Sequence, residues 1–122
     1  MAKKILIVDD EHDIVRTLEN RLKANGYDVI SSYDGQDAMD KVKSEPVDLM
    51  ILDLMLPKLD GYKVCGLLKR NKKYHNIPII MFTAKAKEED AKLGKELGAD
   101  AYIVKPFNPQ VLLAKIKELL KE

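Results

Sequence analysis

The chain has 122 residues, the size of a single domain with one hydrophobic core. Its 21 Lys and Arg residues balance 20 Asp and Glu residues, so neither a nucleic-acid-binding surface nor an acidic tail is indicated. No apolar run reaches the roughly 18 residues of a membrane span, and the N-terminus lacks the pattern of a signal peptide. A single cysteine without an export signal indicates a protein of the reducing cytoplasm.

Short apolar runs rich in branched residues alternate with amphipathic segments along the chain. The runs predict five strands, at 5–8, 27–32, 49–53, 79–83 and 101–104. The amphipathic segments predict five helices, at 12–25, from 35 into the forties, from 61 to about 71, at 85–97 and from 109 onward. Alternation of this kind predicts an α/β fold whose parallel sheet has helices on both faces. Right-handed crossovers then favour a doubly wound sheet of order 2-1-3-4-5.

The helix boundaries carry recognisable signals. Asp34, Asp60 and Asn108 are predicted N-caps, and Asn25-Gly26 is a predicted C-terminal stop. The helix at 85–97 has a thin apolar face with Gly94 inside it, which costs about 1 kcal/mol relative to alanine. We therefore expect this helix to be the least stable of the five.

The third predicted helix starts after Asp60, and its apolar residues are predicted to face the core. These residues are Val64, Leu67 and Leu68.

Polar side chains stand where the predicted strands end. Asp9 and Asp10 follow the first strand, Asp53 ends the third, Thr83 ends the fourth and Lys105 follows the fifth. The carboxyl ends of parallel strands lie at one edge of a sheet, where open α/β sheets bind their ligands. We therefore expect three carboxylates, a hydroxyl and an ammonium group to meet there.

This set of groups indicates phosphoryl chemistry. Clustered carboxylates repel one another, and a hard cation relieves the repulsion. Mg²⁺ takes oxygen ligands and commonly combines one or two carboxylates with water and phosphate oxygens. A carboxylate is also a nucleophile that forms aspartyl-phosphates, and a lysine and a hydroxyl beside it would hold the phosphoryl oxygens.

Four separated motifs support this hypothesis. They are Ile-Leu-Ile-Val-Asp-Asp-Glu near the start, Leu-Asp-Leu-Met-Leu-Pro followed by Asp-Gly, Phe-Thr-Ala, and Tyr-Ile-Val-Lys-Pro-Phe. Together they make the chain resemble a response-regulator receiver domain of two-component signalling, similar to the single-domain chemotaxis regulators. The resemblance covers the whole chain, as one receiver domain over 1–122, and implies a flavodoxin-like fold. It also implies a signalling switch that is phosphorylated by a histidine kinase or a histidine phosphotransfer protein and then acts on an output protein or domain.

The resemblance assigns the phosphoacceptor and the metal ligands. The phosphoacceptor falls on Asp53. The ligands are Asp9, Asp10, Asp53 and the main-chain carbonyl of Met55, and the ion is Mg²⁺, with Mn²⁺ as a substitute. Glu11 is interpreted as a first-turn acid favoured by the helix dipole rather than as a ligand.

The remaining site residues follow from the same resemblance. Thr83 is the phosphate-contacting hydroxyl, Lys105 is the phosphate-binding lysine, and Thr83 and Tyr102 form the switch pair. The switch alters the surface formed by the fourth helix, at 85–97, the fifth strand and the fifth helix. The resemblance also implies a cis bond between Lys105 and Pro106.

The chain departs from some relatives at a dimer interface. Regulators with DNA-binding output domains pair charges between their fourth helix, fifth strand and fifth helix. The matching positions that lack the expected charge are Ala91, Ala101, Val111 and Glu118, while Asp100 and Lys115 keep it. A symmetric dimer of that kind is therefore not expected. The chain is predicted to be a monomer or a weak dimer, without direct contact to nucleic acid or membrane.

The resemblance also implies that two residues beside the site tune how long a phosphoryl group lasts. Met55 lies two positions after Asp53, and Lys85 lies two positions after Thr83. Neither offers a base that would activate water, so self-dephosphorylation is predicted to be slow and to respond to Met55→Asn or Lys85→Glu.

Two other functions remain open at this point. A Mg²⁺-dependent phosphohydrolase of small molecules would also form an aspartyl-phosphate, although the chain is short for a substrate-enclosing cap. A phosphorylation-independent interaction module would not need the site at all. The first would turn over a generic phosphate ester, and the second would be indifferent to Asp53→Asn. The leading hypothesis is a signalling protein that is not an enzyme with an external product.

Overall fold

The computed structural model of the chain describes residues 2–83, 92 and 95–122. Its centre is a five-stranded parallel sheet of order β2-β1-β3-β4-β5. The strands are β1 Lys4–Val8, β2 Asp28–Ser32, β3 Leu49–Asp53, β4 Ile79–Thr83 and β5 Ala101–Val104. The prediction of a doubly wound, flavodoxin-like sheet is confirmed.

Four helices lie in the described part of the chain: α1 His12–Ala24, α2 Gly35–Ser44, α3 Gly61–Lys69 and α4 Pro109–Leu120. They match four of the five predicted helices. The other prediction, at 85–97, falls mostly on residues outside the described ranges. Among the helices that are described, none has the length and the apolar character needed to cross a bilayer.

The predicted helix caps are formed. The side chain of Asp34 accepts a hydrogen bond from the N–H of Asp37 at 2.7 Å, and that of Asp60 accepts one from the N–H of Lys63 at 2.9 Å. Asn108 caps α4 in the same way. These side-chain oxygens satisfy N–H groups that have no partner within the helix.

The sheet separates two apolar layers. Side chains alternate along each strand, so Ile5 and Ile7 of β1 face one layer and Leu6 and Val8 face the other. The first layer contains buried residues of α1 and α4, and the second contains buried residues of α2 and α3. Both faces of the central strands are thus covered, which explains why β1, β3 and β4 are apolar except for one polar residue at an end of each, Lys4, Asp53 and Thr83.

One predicted core residue is exposed. Val64 and Leu68 of α3 are buried as predicted, but Leu67 is 44% exposed. Cys65 is buried in its place, because the 3.6-residue period puts Cys65, Val64 and Leu68 on one face and turns Leu67 away. The prediction for Leu67 was wrong.

Candidate active site at the carboxyl edge of the sheet

Asp53 is the last residue of β3, and its side chain is buried although the residue stands at the edge of the sheet. The residue is 5% exposed. Its Oδ1 accepts a hydrogen bond from the N–H of Met55 at 3.3 Å. Directly after it, the N–H of Leu54 donates to the carbonyl of Phe82 on β4, which holds the chain where it leaves the sheet. The carboxylate is therefore placed by main-chain contacts on both sides.

Two further carboxylates lie beside Asp53. Asp9 is 2% exposed and accepts a hydrogen bond on Oδ1 from the N–H of Glu11 at 2.9 Å. Asp10 is exposed. Asp9, Asp10 and Asp53 each offer an oxygen, and these three oxygens lie within 4.8 Å of one another. An all-oxygen, anionic donor set of this spacing fits a hard divalent cation such as Mg²⁺.

Lys105 brings a positive charge into this cluster. Its Nζ lies 2.8 Å from Oδ2 of Asp9, 3.4 Å from Oδ2 of Asp53 and 3.4 Å from Oε1 of Glu11. Only 10% of its side chain is exposed. The Lys105–Pro106 bond that precedes α4 is cis, as the resemblance implied. The ammonium group therefore faces three carboxylates in a largely enclosed position.

The protonation behaviour of the site reflects burial and charge. Burial raises the pKa of Asp53 to about 6, and the neighbouring Asp9 carboxylate adds to the rise, while Lys105 partly offsets it. Burial alone would lower the pKa of Lys105. The hydrogen bond to Asp9 and the charges of Asp53, Asp9 and Glu11 outweigh burial and raise that pKa. Lys105 is therefore a firmly charged cation at neutral pH.

Thr83 and Tyr102 lie on the strands next to this cluster. Thr83 ends β4, pairs in register with Val104 and is 7% exposed. Tyr102 of β5 is half-buried and packs against the layer that contains α2 and α3. Residues 84–91, which follow Thr83 in the chain, are outside the described ranges.

The structure thus brings together Asp9, Asp10, Asp53 and Lys105, as the order of strand ends predicts. The N–H of Met55 donates a hydrogen bond to the Asp53 carboxylate, and the Met55 side chain is 80% exposed. Lys85, which was expected beside the site, is not among the described residues. Glu11 was not recognised as a site residue from the sequence, yet its carboxylate pairs with Lys105. The position of Glu11 directly after two acids that follow a strand was the only available signal.

The family model of the response regulator receiver domain matches residues 5–117 of the chain. The chain is 50% identical over 121 residues to the alkaline phosphatase synthesis transcriptional regulatory protein PhoP of Bacillus subtilis. That match covers 99% of this chain and 50% of PhoP, so the chain spans about half the length of this curated relative.

Solved structures agree with the fold. A CheY-like response regulator receiver domain protein from Methanospirillum hungatei is 35% identical to this chain, with a TM-score of 0.92. The aligned region covers 99% of this chain and 95% of the Methanospirillum chain. The chemotaxis response regulator CheY4 of Vibrio cholerae is 31% identical, with a TM-score of 0.91. The aligned region covers 98% of this chain and 99% of CheY4. Family match, identity and fold lead to one conclusion: this chain belongs to the response regulator receiver domains of two-component systems.

Proposed function

We propose that this chain, as a single receiver domain, accepts a phosphoryl group on Asp53 from a phosphohistidine of a histidine kinase or histidine phosphotransfer protein. One observation carries the proposal. The buried Asp53 carboxylate lies 3.4 Å from the Lys105 ammonium and belongs to a three-carboxylate cluster that fits Mg²⁺. A nucleophilic oxygen, a cation that stays charged and a divalent-cation site are together what phosphoryl transfer to a carboxylate requires.

The proposed transfer exchanges one bond to phosphorus for another. A carboxylate oxygen of Asp53 forms a bond to phosphorus, the phosphorus–nitrogen bond of the donor breaks, and the imidazole keeps the electron pair and takes up a proton. Lys105 neutralises charge on the phosphoryl oxygens, and the Thr83 hydroxyl contacts one of them. Asp9, Asp10, Asp53 and the main-chain carbonyl of Met55 would hold Mg²⁺, which supplies further positive charge where the phosphoryl group is negative.

The product remains on the protein, so the proposed role is signalling. We infer that Thr83 and Tyr102 rearrange after phosphorylation and change the surface beside β5 and α4 for an output protein or domain. The transcriptional role in PhoP's name favours an output in transcription, carried by a partner or a further domain rather than by this chain.

Phosphorylation should be visible in the intact mass. After treatment with acetyl phosphate and Mg²⁺, we expect one labile phosphate adduct, absent with EDTA and absent in Asp53→Asn. Asp40→Asn removes an exposed carboxylate from α2 and should behave like the wild type. An adduct that persists in Asp53→Asn would refute Asp53 as the acceptor. Rapid turnover of a generic phosphate ester would instead favour a phosphohydrolase of small molecules. Partner binding that is the same in wild type and Asp53→Asn would favour a phosphorylation-independent interaction module.

Loss of the phosphoryl group should be slow. The Met55 side chain is 80% exposed beside Asp53 and carries no group that would orient or activate water. Met55→Asn is expected to shorten the phosphoryl lifetime several-fold, measured as the decay of the adduct mass after the phosphodonor is removed. Leu67→Asn replaces another exposed apolar residue, on α3 and outside the carboxylate cluster, and should leave the lifetime unchanged. Equal lifetimes in wild type and Met55→Asn would contradict the role of Met55.

A monomer or weak dimer remains the proposed assembly. Asp100 pairs within the chain with Lys69, at 2.8 Å, and also accepts a hydrogen bond from the N–H of Ile79. Lys115 pairs with Glu118 of the same helix at 2.9 Å. The two residues that kept the charges expected for a symmetric dimer therefore already have partners in their own chain.

A further inference from the structure

The Lys105 ammonium has a carboxylate partner that the proposed transfer does not use. Asp53 is the proposed acceptor, and Asp9 is a proposed metal ligand. Glu11, at 3.4 Å, is neither, and it is not one of the three clustered carboxylates. Its side chain is 60% exposed, whereas those of Asp9 and Asp53 are buried. Glu11 thus approaches Lys105 from the solvent side of the site.

The main chain fixes where Glu11 stands. Glu11 is the N-cap residue of α1, but its side chain makes no capping hydrogen bond and is directed to Lys105 instead. Its N–H donates to Asp9 Oδ1, so the same residue contacts the metal-ligand candidate through its main chain and the lysine through its side chain. The two residues of this ion pair are 94 positions apart and join the start of α1 to the β5–α4 connection.

Asp9 cannot bind the Lys105 ammonium and a divalent metal ion equally well at the same time. Among the described residues, its Oδ2 is the carboxylate oxygen nearest to the Lys105 ammonium, and Asp9 also belongs to the cluster that fits Mg²⁺. A divalent cation among these oxygens would repel the ammonium group and compete for Asp9. Lys105 must nevertheless stay near Asp53 to neutralise the phosphoryl group. A carboxylate outside the metal cluster would hold it there.

We propose that Glu11 is a positioning residue that retains the Lys105 ammonium beside Asp53 when a divalent cation takes Asp9. The inference rests on the proposed phosphoryl transfer and deepens it, because it separates binding of the cation from placement of the lysine. The contact is half-exposed, so its effect is modest; ion pairs of this kind change an equilibrium by about threefold.

Mg²⁺ affinity of the unphosphorylated protein, measured by calorimetric titration, provides the first test. Glu11→Gln should weaken Mg²⁺ binding by about threefold more than Asp13→Asn, since the freed lysine remains on Asp9 and competes. Asp13 is an exposed acid in the first turn of the same helix and, within the described ranges, is not among the carboxylate partners of Lys105. It controls for the loss of one negative charge near the site.

A double-mutant cycle separates the lysine-mediated effect from a direct effect of charge. In a Lys105→Met background, Glu11→Gln should weaken Mg²⁺ binding no more than Asp13→Asn does. An effect of Glu11→Gln that is undiminished in that background would overturn the inference. Circular dichroism spectra of all variants would show that they are folded.

Phosphorylation kinetics provide a second test that needs no Lys105 variant. At saturating Mg²⁺, Glu11→Gln should still react with acetyl phosphate about threefold more slowly than wild type, because the lysine is poorly placed. A defect that vanishes at saturating Mg²⁺ would overturn the inference, because Glu11 would then affect metal affinity and not the placement of the lysine. A wild-type protein that binds Mg²⁺ but never forms the adduct would contradict the proposed function, while the affinity cycle would still decide the role of Glu11.

Discussion

Gly61→Ala is expected to lower the free energy of unfolding by about 3 kcal/mol, the upper range for overpacking in a well-packed interior. A Cβ atom at this position would lie 2.2 Å from the carbonyl oxygen of Asp53 and 2.8 Å from the Cα of Leu54. Both neighbours are main-chain atoms, so no side-chain rotation relieves the clash. Either α3 or the end of β3 must move, and the end of β3 carries the proposed phosphoacceptor.

Gly66→Ala is the matched control within the same helix. A Cβ there would meet only side-chain atoms of Arg70 and Leu97, at 3.6 Å or more, which is ordinary van der Waals contact. Alanine is preferred over glycine inside a helix by about 0.5–1 kcal/mol, so this variant should be as stable as wild type or more so. Urea unfolding followed by circular dichroism gives the free energy of unfolding of both variants and of wild type. Equal stability of Gly61→Ala and wild type would contradict the close packing of α3 on β3.

Asp53→Asn is expected to stabilise the fold by about 2 kcal/mol at neutral pH in the presence of a chelator. Burial, together with the Asp9 carboxylate, raises the pKa of Asp53 to about 6, so ionisation of this group opposes folding. The amide keeps the shape of the side chain without the charge. The Lys105 ammonium, 3.4 Å away, keeps the pKa of Asp53 from rising further and so limits the gain.

The sign of the pH dependence follows from this raised pKa. The folded protein holds the Asp53 proton up to about pH 6, whereas an unfolded chain releases it near the ordinary value of 3.8. The stability of wild type relative to Asp53→Asn should therefore fall as the pH rises through this interval, and level off above it. Thermal unfolding of both proteins across this range in EDTA provides the measurement. A constant difference would show that the Asp53 pKa is ordinary.

Added Mg²⁺ should reduce the stability advantage of Asp53→Asn over wild type. A ligand that binds only the folded state raises stability, and Asp53 is one of the three clustered carboxylates. Wild type should therefore gain more from Mg²⁺ than Asp53→Asn does. Asp40→Asn removes a carboxylate from the exposed face of α2 and should follow wild type with and without the cation.

Local features of the sequence determined the elements of the fold and which strand ends carry polar groups. Apolar runs such as the four residues 49–52 predict buried strands, because a strand covered on both faces has apolar residues at consecutive positions. Asp34, Asp60 and Asn108 mark helix starts, because capping depends on residues within one turn. Strand–helix alternation then places Asp53 and Lys105 at one edge of the sheet.

Only the tertiary structure decided how these groups interact. The ion pair of Glu11 with Lys105 joins residues 94 positions apart and depends on the path of two loops, which no local pattern specifies. The raised pKa of Asp53 arises from burial by neighbouring elements and from Asp9. The need for glycine at Gly61 comes from the backbone of another element. Propensity and periodicity act over a few residues, whereas burial, charge pairing and close packing are set by neighbours distant in the chain.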